Sequence, residues 1–226
     1  MKNLNPSDYE ELVKVVSEIV YQEISQKEKM SKLLSIPVEI STYHVHLTRN
    51  SLDILYGKGY ELTKLRDLSQ PGEFASNETV SIVGANMRLI EKVRILGPLR
   101  DYTQAELSIT NGFFLGLDLP TRISGNIKDS PPFIIIGPKG VLTLSEGAIR
   151  AARHIHMTPK DAESYQVKNG DRVKVEVSET HGIIYKDVVI RVSPNSKLAF
   201  HLDTDEANAG NVKGATLARI IKKFFN

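Results

Sequence analysis

The sequence predicts a mainly β fold with short helices, built from a duplicated unit and preceded by one amphipathic N-terminal helix. Three observations carry that reading. After Ser35 the chain consists of short apolar runs broken by Gly, Pro, Asn and Asp at close intervals. A His-x-His motif recurs later in the chain together with its surroundings. Only the first 35 residues hold a helical hydrophobic period over several turns.

Taken in order, Asn5-Pro6-Ser7 offers a helix start, with Ser7 as N-cap and Glu10 completing a capping box. Leu12, Val15, Val16, Ile19, Val20 and Ile24 then form an apolar stripe. The polar stretch Ser25–Lys29 reads as the helix exit and a linker, so residues 1–35 are expected to stand apart. Val80–Val83, Val93–Leu96, Phe133–Ile136, Val173–Val177 and Val188–Val192 read as strands, and their turn-separated spacing favours barrels or sandwiches over a βαβ sheet. Short helices fit after Arg49 and after Pro159, with Thr48 and Thr158 as their N-caps. Gly137-Pro138-Lys139-Gly140 lies between two β runs and reads as a hairpin turn, because it lacks the pattern of a phosphate-binding P-loop. Ser124-Gly125-Asn126 and Pro131-Pro132 read as the connection between the two halves, with a simple division near Pro120.

Composition narrows the chemistry. The 226 residues carry 29 Lys and Arg against 27 Asp and Glu, with no basic patch of the kind nucleic-acid binding requires. No signal peptide and no apolar run long enough to span a membrane is visible, so a cytoplasmic protein is expected. Cysteine is absent, which excludes disulfides, thiolate metal ligands and a cysteine nucleophile. There is no Gly-x-Ser-x-Gly elbow either. Catalysis would therefore rest on His, carboxylates, Arg and hydroxyls.

The histidines point to a metal. Four of the six sit in two His-x-His pairs, His44/His46 and His154/His156. In a strand, residues i and i+2 face the same side, so each pair presents two imidazoles to one point. A single pair is an ordinary coincidence, but here His44–Thr48 matches His154–Thr158, and Val93–Pro98 resembles Val189–Pro194. Glu106 and His201 hold related places downstream and are natural third ligands, leaving an open position at each metal. His181 lies outside the repeat and reads as a loop residue without a role. Arg100, after Gly97-Pro98-Leu99, suits bidentate phosphate binding and equally suits an exposed turn. Arg88 and Arg94 flank a hairpin, where surface arginines are common. A cupin-like site would need a glutamate soon after the His pair, and Asn50 and Asp161 supply none.

Several segments resemble the phosphate propanoyltransferases of bacterial microcompartments. They are Ile40–Leu47, Leu68–Ala75, Leu96–Arg100, Ala151–Met157 and His201–Asn208, and the resemblance runs from about Ile36 to Ala209. It implies two small β-barrel domains and the reaction acyl-CoA plus phosphate giving acyl phosphate plus coenzyme A. It also implies two zinc ions, one on His44, His46 and Glu106, the other on His154, His156 and His201, with Arg100 binding phosphate. Coenzyme A contacts fall on Ile40, Ser41, Thr42, Met87, Arg94 and Asn208. Two departures are Gly84-Ala85-Asn86-Met87, where a Gly-Pro-Lys-Gly turn is usual, and Tyr43, where arginine is common. The resemblance further implies a discontinuous first barrel, residues 36–46 plus 153–213, and a second barrel at 47–152; residues 214–226, beyond it, read as a basic amphipathic tail. The expected partners are acyl-CoA and phosphate; the apolar stripe of the N-terminal helix is open to three roles, folding back on the barrels, pairing with a second copy, or, as the resemblance implies, docking to a microcompartment shell. The rival readings are a zinc-dependent hydrolase and a zinc-stabilised duplicated β-barrel binding module.

Overall fold

The computed structural model describes residues 6–177, 182–214 and 216–223. His181 and the last three residues of the expected tail lie outside them. The described chain forms two units, residues 1–35 and the rest.

The first unit is a single helix, α1 (Pro6–Leu33), of 28 residues. It begins at Pro6, so Ser7 stands within it, and it continues through Ser25–Lys29, which sequence reading had as an exit. Polarity alone does not stop a helix; Gln, Lys and Glu are good helix formers, and no Gly or Pro intervenes before Pro37. The stripe residues Leu12, Val15, Val16, Ile19, Val20 and Ile24 are 47–55% exposed. Among the described residues, no helix is long and apolar enough to cross a membrane.

The second unit begins with β1 (Ile36–Ser41), β2 (His44–His46), α2 (Arg49–Tyr56), β3 (Lys64–Asp67), β4 (Phe74–Val83), β5 (Leu89–Gly97) and β6 (Gln104–Glu106). It continues with α3 (Ile109–Leu115), β7 (Thr121–Arg122), β8 (Phe133–Ile136), β9 (Val141–Leu144), β10 (Ala148–Ala151), β11 (His154–Met157) and α4 (Pro159–Ser164). The last elements are β12 (Arg172–Val177), β13 (Ile183–Val192), β14 (Ala199–Asp203), α5 (Thr204–Ala209) and β15 (Leu217–Lys223). The mainly β class, the duplication and the separate helix are as the sequence predicts. The two halves differ in closure. One is a closed barrel, β1-β14-β11-β13-β12-β15, and the other a curled, open nine-stranded sheet, β7-β10-β6-β2-β5-β4-β8-β9 with β3 on β4.

Each half has its own core because alternate residues of its strands face inward. Val173, Val175, Ile155, Met157, Phe200 and Leu202 fill the barrel. Val45, Leu47, Ile82, Ile95, Phe133 and Ile135 fill the concave face of the sheet, capped by Leu52 and Leu55 of α2. The turn Gly137–Gly140 is the hairpin expected, closed by Gly137 N–H donating to the Gly140 carbonyl (2.9 Å). It lies against α2 so tightly that a Cβ on Gly137 would come within 2.5 Å of the Leu55 carbonyl oxygen.

The two halves exchange strands. β1 pairs in parallel with β14 of the barrel, yet β2, two residues later, pairs with β5 and β6 of the open sheet. Reciprocally, β10 pairs in parallel with β6 of the open sheet, while β11 pairs with β13 and β14 of the barrel. Three expectations are corrected here. The first His-x-His strand joins the open sheet, not the barrel, because His44 is in register with Arg94 and Glu106. Residues 217–223 are not a tail: β15 closes the barrel against β12 and β1, with Ala218 buried and Ile220 packed on the core. Residues 123–132 join β7 to β8, both strands of the open sheet, and Pro120 marks no division.

Candidate active site

The strand exchange brings the repeated elements face to face. Each His-x-His strand places its central residue, Val45 or Ile155, in a core and turns its two imidazoles the other way. Each is followed by a threonine-capped helix: Thr48 accepts from Ser51 N–H at the start of α2, and Thr158 accepts from Asp161 N–H at the start of α4. Each is flanked by an antiparallel strand bearing the third donor, with His44 opposite Glu106 and His154 opposite His201. Two residues beyond each third donor, Ser108 and Asp203 cap α3 and α5. The halves meet directly where Thr110 N–H donates to Asp205 Oδ2 (2.8 Å).

The crossing points orient the first histidine of each pair. At one crossing, His44 Nδ1–H donates to the Thr42 carbonyl (2.8 Å); at the other, His154 Nδ1–H donates to the Ala152 carbonyl (2.8 Å). A proton held at Nδ1 leaves Nε2 as a bare lone pair, the form that binds a metal. His44 Nε2 lies 3.5 Å from Glu106 Oε2, and His46 Nε2 lies 3.8 Å from Glu106 Oε1. Donor atoms of these three residues all fall within 4.8 Å of one another. In the second set His154 Nε2 and His156 Nε2 are 3.1 Å apart, and the ring of His201 stacks on that of His154 at 5.0 Å.

Four of these imidazoles, His46, His154, His156 and His201, are pushed toward the neutral form. Burial, then the neighbouring His44 and Arg100, keep His46 well below the usual histidine range. Burial, His201 and His156 do the same for His154, and burial with His201 and Arg191 brings His156 to about 3. Burial lowers His201 as well, against the pull of Glu39 and Glu106. Neutral, converging imidazoles and a carboxylate suit zinc or a neighbouring transition metal. His201 Nε2 supports that fit further: it is buried without a hydrogen-bond partner.

Both sets open on one cleft of about 870 Å³ between the halves. Arg100, Ile40, Ser41, Thr42 and Arg94 of the sequence-predicted residues also line it. Arg100 is well supplied with partners: Nη2 meets Glu73 Oε1 at 2.8 Å, and Nη1 donates to the Tyr102 and Ser124 hydroxyls. Arg94 donates from Nη1 to the carbonyls of Ser76 and Asn77. Met87 stands at a turn, 80% exposed, and neither it nor Asn208 lines the cleft.

Sequence reading missed several residues here. Gln104 Nε2–H donates to Glu106 Oε1 (2.7 Å) and to Ser124 Oγ (2.9 Å), while its own oxygen accepts from Gly125 N–H. Gln104 and Ser124 therefore tie Glu106 to Arg100, although Ser124 reads as a mere connector in sequence. Arg191, in register with His156, and Glu39, in register with His201, also line the cleft. The only signal for Gln104 was its i−2 spacing from Glu106, the same spacing that makes the His pairs.

A buried, metal-competent donor cluster beside a guanidinium in an open cleft is the arrangement of an enzyme active site. The phosphate propanoyltransferase family profile matches residues 37–213. The chain is similar to a phosphate propanoyltransferase of Thermotoga maritima, 50% identical over 188 residues, covering 83% of this chain and 89% of that one. It is similar to one from Priestia megaterium at 49% identity, covering 87% and 88%, and to one from Lachnoclostridium phytofermentans at 44% identity, covering 92% and 98%. This chain belongs to the phosphate propanoyltransferase family, whose members are acyltransferases.

Proposed function

We propose that the protein transfers a short acyl group, propanoyl or acetyl, between coenzyme A and inorganic phosphate, with a zinc ion on each donor set. The observation that carries this is the convergence of two three-donor sets and Arg100 on one cleft, in a chain of this family. Bound zinc would act as a Lewis acid, lowering the cost of charge at phosphate and thioester oxygen. Arg100 would bind phosphate through its planar fork, exchanging its Glu73 partner for phosphate oxygens. Phosphate held in this way presents one oxygen to the thioester carbonyl; the C–O bond forms, the C–S bond breaks, and coenzyme A leaves as thiolate. A thiol pKa near 8.5 means that this leaving group needs little help from an acid. No acyl-enzyme is required, which agrees with the absence of cysteine.

Coenzyme A is proposed to run along Ile40, Ser41, Thr42 and Arg94, with Met87 and Asn208 serving its distal nucleotide end. The exposed stripe of α1 is proposed to dock in an apolar groove of a microcompartment shell, since a stripe at i, i+3, i+4 and i+7 suits helix-in-groove binding. Deleting residues 1–35 checks this: the truncated protein should stay active and metal-loaded but no longer reach the shell. Thiol release from propanoyl-CoA and acetyl-CoA, measured with and without phosphate, tests the main reading. Phosphate-dependent release with acyl phosphate as product is expected; release at the same rate without phosphate would make the protein a hydrolase.

A further inference from the structure

The two donor sets are alike in their histidines but not in their charge. The first contains a carboxylate, Glu106, while the second, as the repeat defines it, contains three imidazoles and none. The strand exchange supplies what is missing. β1 lies beside β14 with Glu39 in register with His201, and Glu39 Oε2 lies 3.5 Å from His201 Nε2. That separation equals the 3.5 Å between His44 Nε2 and Glu106 Oε2 in the first set. Two donors on one tetrahedral zinc at 2.0–2.1 Å stand about 3.3 Å apart. His201 Nε2 is buried without a hydrogen-bond partner, and the Glu39 carboxylate faces it. Glu39 Oε2 also accepts a short hydrogen bond from Ser69 Oγ, a contact that fixes a ligating carboxylate. The equivalent position in the other half, on β10 beside Glu106, is Ile149, which has no donor.

We propose that Glu39 is a fourth protein ligand of the second metal, oriented by Ser69. The inference rests on the two-metal reading above. Each dication then meets one carboxylate, drawn from the third-donor strand in the open sheet and from the exchanged strand in the barrel. The sets become unequal in a second way. His44, His46 and Glu106 would offer the first metal three protein donors, whereas His154, His156, His201 and Glu39 would offer the second one four.

The test uses the full chain loaded with zinc, and separately with Co²⁺ as a spectroscopic probe. Zinc per chain is measured after equilibration with increasing chelator for the parent, Glu39→Gln, Glu39→Ala and Ser69→Ala. The parent should hold two zinc ions. Glu39→Ala should release one of them at a chelator concentration at least about tenfold lower and keep the other unchanged, which also shows that the variant is folded. Glu39→Gln, whose amide oxygen is the weaker donor, should fall between, and Ser69→Ala should show a smaller loss. The Co²⁺ absorption bands should shift in Glu39→Ala. Equal chelator resistance and identical Co²⁺ bands in parent and Glu39→Ala would overturn the role of Glu39 and leave the two-metal reading standing. A parent that binds no metal would overturn both.

Discussion

The closed barrel and the open sheet descend from the same arrangement, and they differ where the site is indifferent. In both, a His-x-His strand emerges from a crossing whose backbone carbonyl orients the first imidazole, then runs into a threonine-capped helix. In both, an antiparallel neighbour brings the third donor and a capped helix follows two residues later. Outside that frame they part. β15 completes a six-strand circuit in one half, while the other keeps its edges at β7 and β9. Sheet closure governs the core behind the site; the crossing, the strand and the flanking donor govern the site itself. The donor sets then diverge in detail. Glu106 is held by a buried amide, Gln104, in one, and His201 faces a carboxylate, Glu39, in the other.

The largest expected break in this comparison removes a donor. His46→Ala should lose about one metal from the open-sheet set and His154→Ala about one from the barrel set. Either should lower turnover by more than the about 10²–10³-fold lost with a single electrostatic donor. Elemental analysis and thiol-release assays check both. If the two variants lose the same metal, the two sets are one site.

Arg100→Lys should come next. It keeps the charge but loses the planar fork, and a charge-assisted hydrogen bond is worth about 1.5–3 kcal/mol, or about 10- to 100-fold in the phosphate-dependent rate. Zinc content should stay at the parent value, and initial rates over a range of phosphate concentrations measure the effect.

Gln104→Leu sharpens the difference between the halves. With its amide gone, Glu106 loses one orienting partner and Ser124 another. Metal affinity at the first set should fall about 10- to 100-fold while the second set is untouched, as read by chelator titration.

The smallest effect concerns Glu206 in α5. Burial and the neighbouring Asp203 raise its pKa, only partly offset by Arg153 and Arg150. A carboxyl whose folded pKa is raised binds more protons folded than unfolded, so its contribution to stability is greatest below the unfolded value and declines as pH rises through the folded one. Glu206→Gln keeps an acceptor for Asp203 N–H and should flatten that decline. Thermal melts between about pH 4 and 7 should show the parent losing stability relative to the variant as pH rises.

What the sequence determined by itself is local or repeated. His-x-His in a strand puts both imidazoles on one face whatever the strand pairs with, because the side-chain period is 2. Thr48 and Thr158 cap the helices that follow because the hydroxyl and the N–H it serves lie three residues apart. Apolar runs such as Val173–Val177 announce strands with one buried face. The duplication was legible because two copies in one chain can be compared directly. Tertiary structure decided the rest. Whether β2 followed β1 into the barrel depended on registers with β5 and β6, about 50 to 60 residues away, and nothing between Ser41 and His44 encodes the crossing. Leu217–Lys223 alternates weakly enough to read as a tail until β1 and β12 supply the backbone partners that its N–H and C=O groups require. Glu39, Arg191 and Ser124 look like ordinary polar residues in sequence. Their chemistry comes from His201, His156 and Arg100, distant in the chain: strand pairing sets the first two pairs side by side, and a contact between two connecting segments joins Ser124 to Arg100.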